Sequence, residues 1–155
     1  MTYRIAGLDP NQFASLVGAD EVTLADARAQ RVTAVVPSKT PCRVTLDYPN
    51  VGESLILLHH VSHDVATPYR SSYAIFIRES AGEAAEYVDS IPPVFVRVTL
   101  ALRGFDSKGM LHDHTLAAPG EADSKIRAML DLVEIAYIDV HNAAPGCFAA
   151  RVERT

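Results

Sequence analysis

The chain has 155 residues and a formal charge of −5, from 14 Lys and Arg against 19 Asp and Glu. Hydrophobic residues make up 48% and charged residues 21%, a globular composition that excludes a disordered tail, a collagen-like repeat and a coiled coil. Residues 1–78 hold seven charges of each sign and residues 79–155 hold seven basic and twelve acidic, so neither half carries the basic footprint of a nucleic-acid or anionic-membrane binder.

Tyr3–Leu8 reads as a first strand. Asp9-Pro10 then supplies an N-cap followed by proline at the first helical position, with Gln12 placed as in a capping box. Phe13, Leu16 and Val17 form the apolar stripe of a short helix ended by Gly18, and Asp20 caps a further turn or two through Ala29. From there the period falls to two. Arg31–Val36 is a strand stopped by Pro37, and Cys42–Leu46 is a strand with Cys42, Val44 and Leu46 on one face. Ser54–His60 is a near-continuous apolar run, the pattern of a strand covered on both faces, and Tyr73–Arg78 is another strand. Val94–Arg103 alternates, turning Val94, Val96, Val98, Leu100 and Leu102 inward. Asp106-Ser107-Lys108-Gly109 is turn chemistry, so Met110–Leu116 returns as a hairpin partner. Glu121–Val133 is the clearest helix, and Ile135–His141 and Cys147–Glu153 are the last two strands. The expectation is a single α+β domain over residues 1–155, with a largely antiparallel sheet of about eight strands and two or three helices.

The N-terminal residues lack the apolar stretch of a secretory signal, and no apolar run approaches the ~20 residues of a membrane span. Two cysteines, Cys42 and Cys147, are too few for a disulfide scaffold or a zinc ribbon. A reduced, cytoplasmic setting with no membrane partner is expected.

The last hairpin carries the most chemistry. Symmetric closure of the loop Asn142–Gly146 sets His141 opposite Cys147, Asp139 opposite Ala149 and Tyr137 opposite Arg151. One face then carries Tyr137, Asp139, His141, Cys147, Arg151 and Glu153, while Ile138, Val140, Phe148, Ala150 and Val152 form the core face. A thiol beside an imidazole is the arrangement of a nucleophile and its base. The same face also fits a plain solvent-facing sheet, and a one-residue slip or bulge parts the pair.

The loop Thr67–Tyr73 is polar and aromatic, as ligand-binding loops often are. Arg outnumbers Lys eleven to three. Internal ion pairs account for most of these arginines, and Arg43, Arg70 and Arg151 are the candidates for an anionic ligand. His112-x-His114 points two rings one way from a strand, with His141 or Asp113 as a third ligand, but no ligand-rich helix motif accompanies it and no metal is assigned. Nucleotide-binding glycine loops, a Gly-x-Ser-x-Gly elbow and a kinase set are all missing, so no cofactor is assigned either.

Four stretches taken together resemble the DUF1203 family of small bacterial proteins. They are Tyr3–Leu8, Pro41-Cys42-Arg43-Val44 with Leu46, Pro68–Ser71 running into Ala74–Glu79, and the tail Val140–Val152. The tail is the most specific, with Phe148 standing where Tyr is more usual, and His112 and His114 lie outside the pattern. The resemblance implies a shared fold and brings no activity or cofactor.

Three functional readings follow. In the first, the protein binds a small anionic ligand: Arg43 and Arg70 hold the anion, Tyr69 stacks, Asn142 and Arg151 add polar contacts, and His141 bonds or exchanges a proton. In the second, Cys147 is a nucleophile with His141 as base, oriented by Asp139 or Asn142. In the third, the chain forms a homodimer through a sheet edge or the Val94–Leu102 strand.

Overall fold

In the computed structural model, which describes residues 1–155, the two N-terminal aspartates cap as their positions require. Asp9 accepts from Asn11 N at 2.9 Å ahead of a 3-10 turn over Pro10–Phe13, and Asp20 accepts from Thr23 N at 2.8 Å ahead of α1 (Glu21–Asp26). Around them lie β1 (Tyr3–Ala6) and β2 (Gln30–Thr33). Then come β3 (Ser54–His63), β4 (Ser71–Arg78), β5 (Glu86–Val88), β6 (Leu100–Phe105) and β7 (Leu111–Ala117). The chain ends with α2 (Ala122–Leu130), β8 (Tyr137–Asn142) and β9 (Phe148–Arg154).

The fold is α+β. A six-stranded sheet has the order β5-β1-β9-β8-β6-β7, a three-stranded sheet has the order β2-β3-β4, and every neighbouring pair is antiparallel. One face of the large sheet presents Leu100, Leu102, Ile138, Val140 and Val152 to Ile126, Met129 and Leu130 of α2, making the main apolar core. The small sheet packs Ile56, Leu58, Ile75 and Ile77 against Phe13, Leu24, Cys42 and Val44 in a second core. The polar face of the large sheet meets the His60 and Tyr73 end of that same small-sheet face.

Four expected elements take other forms. Cys42–Leu46 is a chain of turns with a single parallel bridge from Cys42 to Phe76, because its backbone serves three neighbours at once. Arg43 N donates to Phe76 O, Leu8 N to Arg43 O and Ala85 N to Val44 O. The Val94–Arg103 strand begins only at Leu100. Pro92 and Pro93 start a 3-10 turn in which the consecutive residues Val94 and Phe95 are both buried, and this displaces the strand offered as a dimer surface. Ser54–His60 is covered on both faces only at Leu55 and Ile56, since beyond them Leu57 is half-buried and His59 exposed. The helix expected to reach Val133 stops at Leu130, and β5, only three residues long, has no periodic signal.

Glu79, just past β4, ties the small sheet to the N-terminal segment. It accepts from Arg31 Nε (2.9 Å) and Nη2 (3.1 Å), from Gly18 N (2.9 Å) and from the Ser54 hydroxyl. The Arg31 hydrogen bonds foremost hold its carboxyl pKa down to about 2, against the effect of burial. A depressed carboxyl adds stability above its unfolded pKa of ~4.3, and that stability is lost as pH falls toward the folded value. Glu79→Gln is therefore expected to cost about 2 kcal/mol at pH 7, a loss that shrinks by pH 3.5. Urea midpoints at the two pH values measure it, and an equal loss at both would exclude the ionic account.

Candidate functional site

The β8–β9 hairpin is built on a bulge. Tyr137 to Val140 pair with Glu153 to Ala150, the register shifts, and His141 then pairs with Phe148. The loop closes on the next pair, where Asn142 N donates to Cys147 O at 3.0 Å, and Gly146 adopts a φ of +79°. The expected His141–Cys147 opposition is thereby corrected. Phe148 moves to the His141 face, where the two rings meet edge to face at 5.8 Å, and Cys147 is set beside Asn142.

Cys147 opens onto a cleft of about 470 Å³. Its walls are the exposed margin of β4 at Ala74 and Phe76, the turn carrying Lys39, residues Val98-Thr99 and the loop Ala143–Pro145. The half-buried thiol has two donors: Arg43 Nη2 at 3.4 Å and Asn142 Nδ2 at 3.8 Å. Arg43 is the one fully buried arginine, 2% exposed. It is fixed by Nε donating to Phe148 O at 2.5 Å and Nη1 to Pro41 O at 3.3 Å. A guanidinium has five N–H donors, so these two bonds and the one to sulfur leave two without an acceptor. Burial pushes the Arg43 pKa below the usual arginine value, and the neighbouring Cys147 sulfur opposes that shift. Arg4, Arg31, Arg70, Arg78, Arg127 and Arg151 all pair with carboxylates, whereas Arg43 does not. No Asp, Glu or His lines the cleft.

The remaining candidates lie in the layer between the sheets or beyond it. His141 is buried, with Nδ1 3.0 Å from Gly146 O, so this nitrogen carries the proton and Nε2 the lone pair. Its ring meets Tyr73 edge to face at 4.9 Å, and Tyr73 Oη accepts from Arg103 at 2.9 Å. Arg151 forks onto buried Asp139 at 2.7 and 3.0 Å and covers the Tyr137 ring. His63 joins Tyr69 O to Tyr137 Oη. Arg70 pairs with Asp64 on the surface, and the half-exposed Tyr69 ring leans on Phe105. Tyr137 and Asn142 stand at opposite ends of β8, about 16 Å apart at ~3.3 Å per residue. The Tyr69-Arg70 loop sits at the Tyr137 end and the cleft at the Asn142 end.

The structure thus brings Arg43, Asn142 and Cys147 together and leaves Tyr69, Arg70, Arg151 and His141 outside the cleft. Lys39, which the sequence reading passes over, joins the site from four residues before Arg43. Its signal is a lysine between Pro37 and Pro41 with no acidic neighbour. His112 and His114 are exposed on β7, and no group of three or more His, Cys, Asp or Glu side chains is placed to hold a metal ion. No helix is long and apolar enough to cross a membrane.

Fold and site together define an α+β protein of two antiparallel sheets with a cationic, thiol-bearing cleft between the small sheet and the last hairpin. The chain belongs to DUF1203, a family of proteins of unknown function, whose match covers residues 39–154 and so includes every lining residue of the cleft but Ser38. No curated protein and no solved structure matches it.

Proposed function

We propose that the protein binds a small anionic ligand, a carboxylate or an oxyanion, in the cleft at Arg43. The observation that carries this reading is a buried guanidinium with two free N–H donors and no carboxylate partner, on the wall of a cleft without acidic side chains. A buried cation is costly unless an anion or a full set of acceptors offsets it, and a carboxylate or phosphate matches the geometry of the fork. Lys39 adds a second positive charge at the rim and Asn142 a neutral donor, while Ile75, Phe76 and Val98 suit a short apolar tail. The Tyr69-Arg70 loop is not part of this site, because Asp64 and about the length of β8 separate it from the cleft.

Thermal unfolding in the presence of acetate, succinate or inorganic phosphate tests the reading. A ligand at a hundred times its Kd stabilises by about 2.7 kcal/mol, roughly 5–10 °C for a domain of this size. At least one anion is expected to give such a shift at neutral pH, with Lys39→Ala reducing it and Arg43→Lys abolishing it. An absent shift for all three, or an equal shift in both variants, would reject the site.

A further inference from the structure

We propose that Cys147 is a peroxide-reactive thiol, oxidised to a sulfenic acid in the Arg43 cleft. The inference rests on the anion-binding reading for one thing, the free donors of Arg43.

The two cysteines of the chain have different surroundings. Cys42 is fully buried, and its sulfur accepts from Thr45 N and Arg78 N inside the second core. Cys147 is half-buried, lines the cleft and takes donors from Arg43 and Asn142. Of the two sulfurs, Cys147 is thus the accessible one, and it is hydrogen-bonded by a guanidinium in a cleft lined by no carboxylate, where oxidants reach it first.

The rest of the cleft selects the reaction. Acyl transfer by a cysteine needs a group that protonates the leaving amine or alkoxide. The cleft offers no His, Asp or Glu, its one ammonium is the exposed Lys39 at the rim, and the nearest histidine in the hairpin, His141, pairs with Phe148 and is bonded to Gly146 O. A hydroperoxide needs no such acid. The thiolate sulfur attacks one peroxide oxygen, an S–O bond forms and the O–O bond breaks. Sulfur gives up two electrons, the peroxide is reduced, and the second oxygen leaves as hydroxide that takes a proton from solvent to become water. The two N–H bonds of Arg43 without acceptors are the donors available to that departing oxygen, a charge that develops only as the bond breaks. Lys39 at the rim favours the same negative charge.

Hydrogen peroxide with dimedone as a trap, read by intact mass, tests the proposal on the whole protein. Folded Cys42→Ser is expected to gain one adduct at least roughly tenfold faster than the same chain unfolded in guanidinium chloride. Folded Cys147→Ser is expected to gain none. Asn142→Ala keeps Arg43 and is expected to slow the reaction severalfold, and Arg43→Lys, where it folds, to slow it further. A folded rate no greater than the unfolded one, or a first adduct on Cys42, would overturn the proposal. Titrating Cys147→Ser with acetate and phosphate separates the two readings. Anion binding without fast oxidation rejects the thiol chemistry alone, and fast oxidation without anion binding rejects the ligand site alone.

Discussion

Gly7→Ala is expected to destabilise the protein by about 3 kcal/mol or more, lowering the thermal midpoint by roughly 10 °C. A methyl group at Gly7 would sit 1.9 Å from the carbonyl oxygen of Val44 and 3.2 Å from Ala85 N. Both are backbone atoms, so no side-chain rotation relieves the overlap. The close approach exists because Gly7 N donates to Ala85 O at 2.8 Å, Leu8 N to Arg43 O at 2.8 Å and Ala85 N to Val44 O at 2.9 Å. These bonds join the end of β1 to the turns that aim Arg43 at the cleft, so the variant is expected to lose anion stabilisation together with fold stability. Gly82→Ala is the internal comparison. Its added methyl meets nothing within 4 Å, and it is expected to change stability by less than ~0.5 kcal/mol. Urea unfolding of both variants decides the matter, and equal midpoints would rule out the backbone contact as the cause.

Elements with a strong local signal are legible in the sequence. The caps at Asp9 and Asp20, the Asp106–Gly109 turn and the alternation of β8 stand where their residues place them, whereas β9 alternates only from Ala150 onward and pairs Arg151 with Asp139 and Glu153 with Tyr137. What escapes is set by tertiary hydrogen bonding. The residues Val94, Val96, Val98, Leu100 and Leu102 alternate whether or not they form a strand, and two prolines decide for a turn over the first part. Cys42–Leu46 has strand composition but spends its backbone donors and acceptors on three separate neighbours.

The candidate site shows the same limit at single-residue scale. Arg43, Asn142 and Cys147 are recognisable from their types, and Arg43 is separable from the other arginines only once burial is known along with the ion pairs. The bulge in the hairpin leaves no mark in the sequence, because an alanine pair at Ala149-Ala150 fits either register. Closure of the loop on Asn142 and Cys147, rather than on His141 and Cys147, takes the imidazole away from the thiol, and the Arg43 turn gives the thiol a guanidinium instead. The chemistry open to Cys147 changes with it, from base-assisted acyl transfer to attack on an electrophile that needs no proton donor.

Lowering the pH from 7 to 4 is expected to cost about 3 kcal/mol of stability through His141 alone. Burial is the main cause, pushing its pKa from 6.5 down to about 4, with the Gly146 carbonyl opposing and Arg103, Arg43 and His63 adding to the shift. These charges reach the ring from β6, from the Arg43 turn and from β3, while β4 presents Tyr73. The unfolded chain takes up a proton near pH 6.5 that the folded chain refuses until about pH 4. Stability is therefore complete above pH 6.5 and falls as the pH drops through that window; carboxylates such as Glu79 begin to contribute only near its acid end, and they do so alike in the wild type and in a His141 variant. His141→Phe keeps a ring against Tyr73 and Phe148 but gives up the bond to Gly146 O, a pH-independent loss of about 1 kcal/mol. Urea unfolding at pH 7, 5.5 and 4 is expected to show the wild type falling by about 3 kcal/mol more than the variant. Parallel curves would mean that His141 is not the group that titrates. Because Arg43 is one of the charges opposing protonation of His141, an anion bound at Arg43 weakens that repulsion. The extra stabilisation that phosphate or a carboxylate gives the wild type over His141→Phe is accordingly expected to be larger at pH 5 than at pH 7, a difference in which the anion's own protonation cancels.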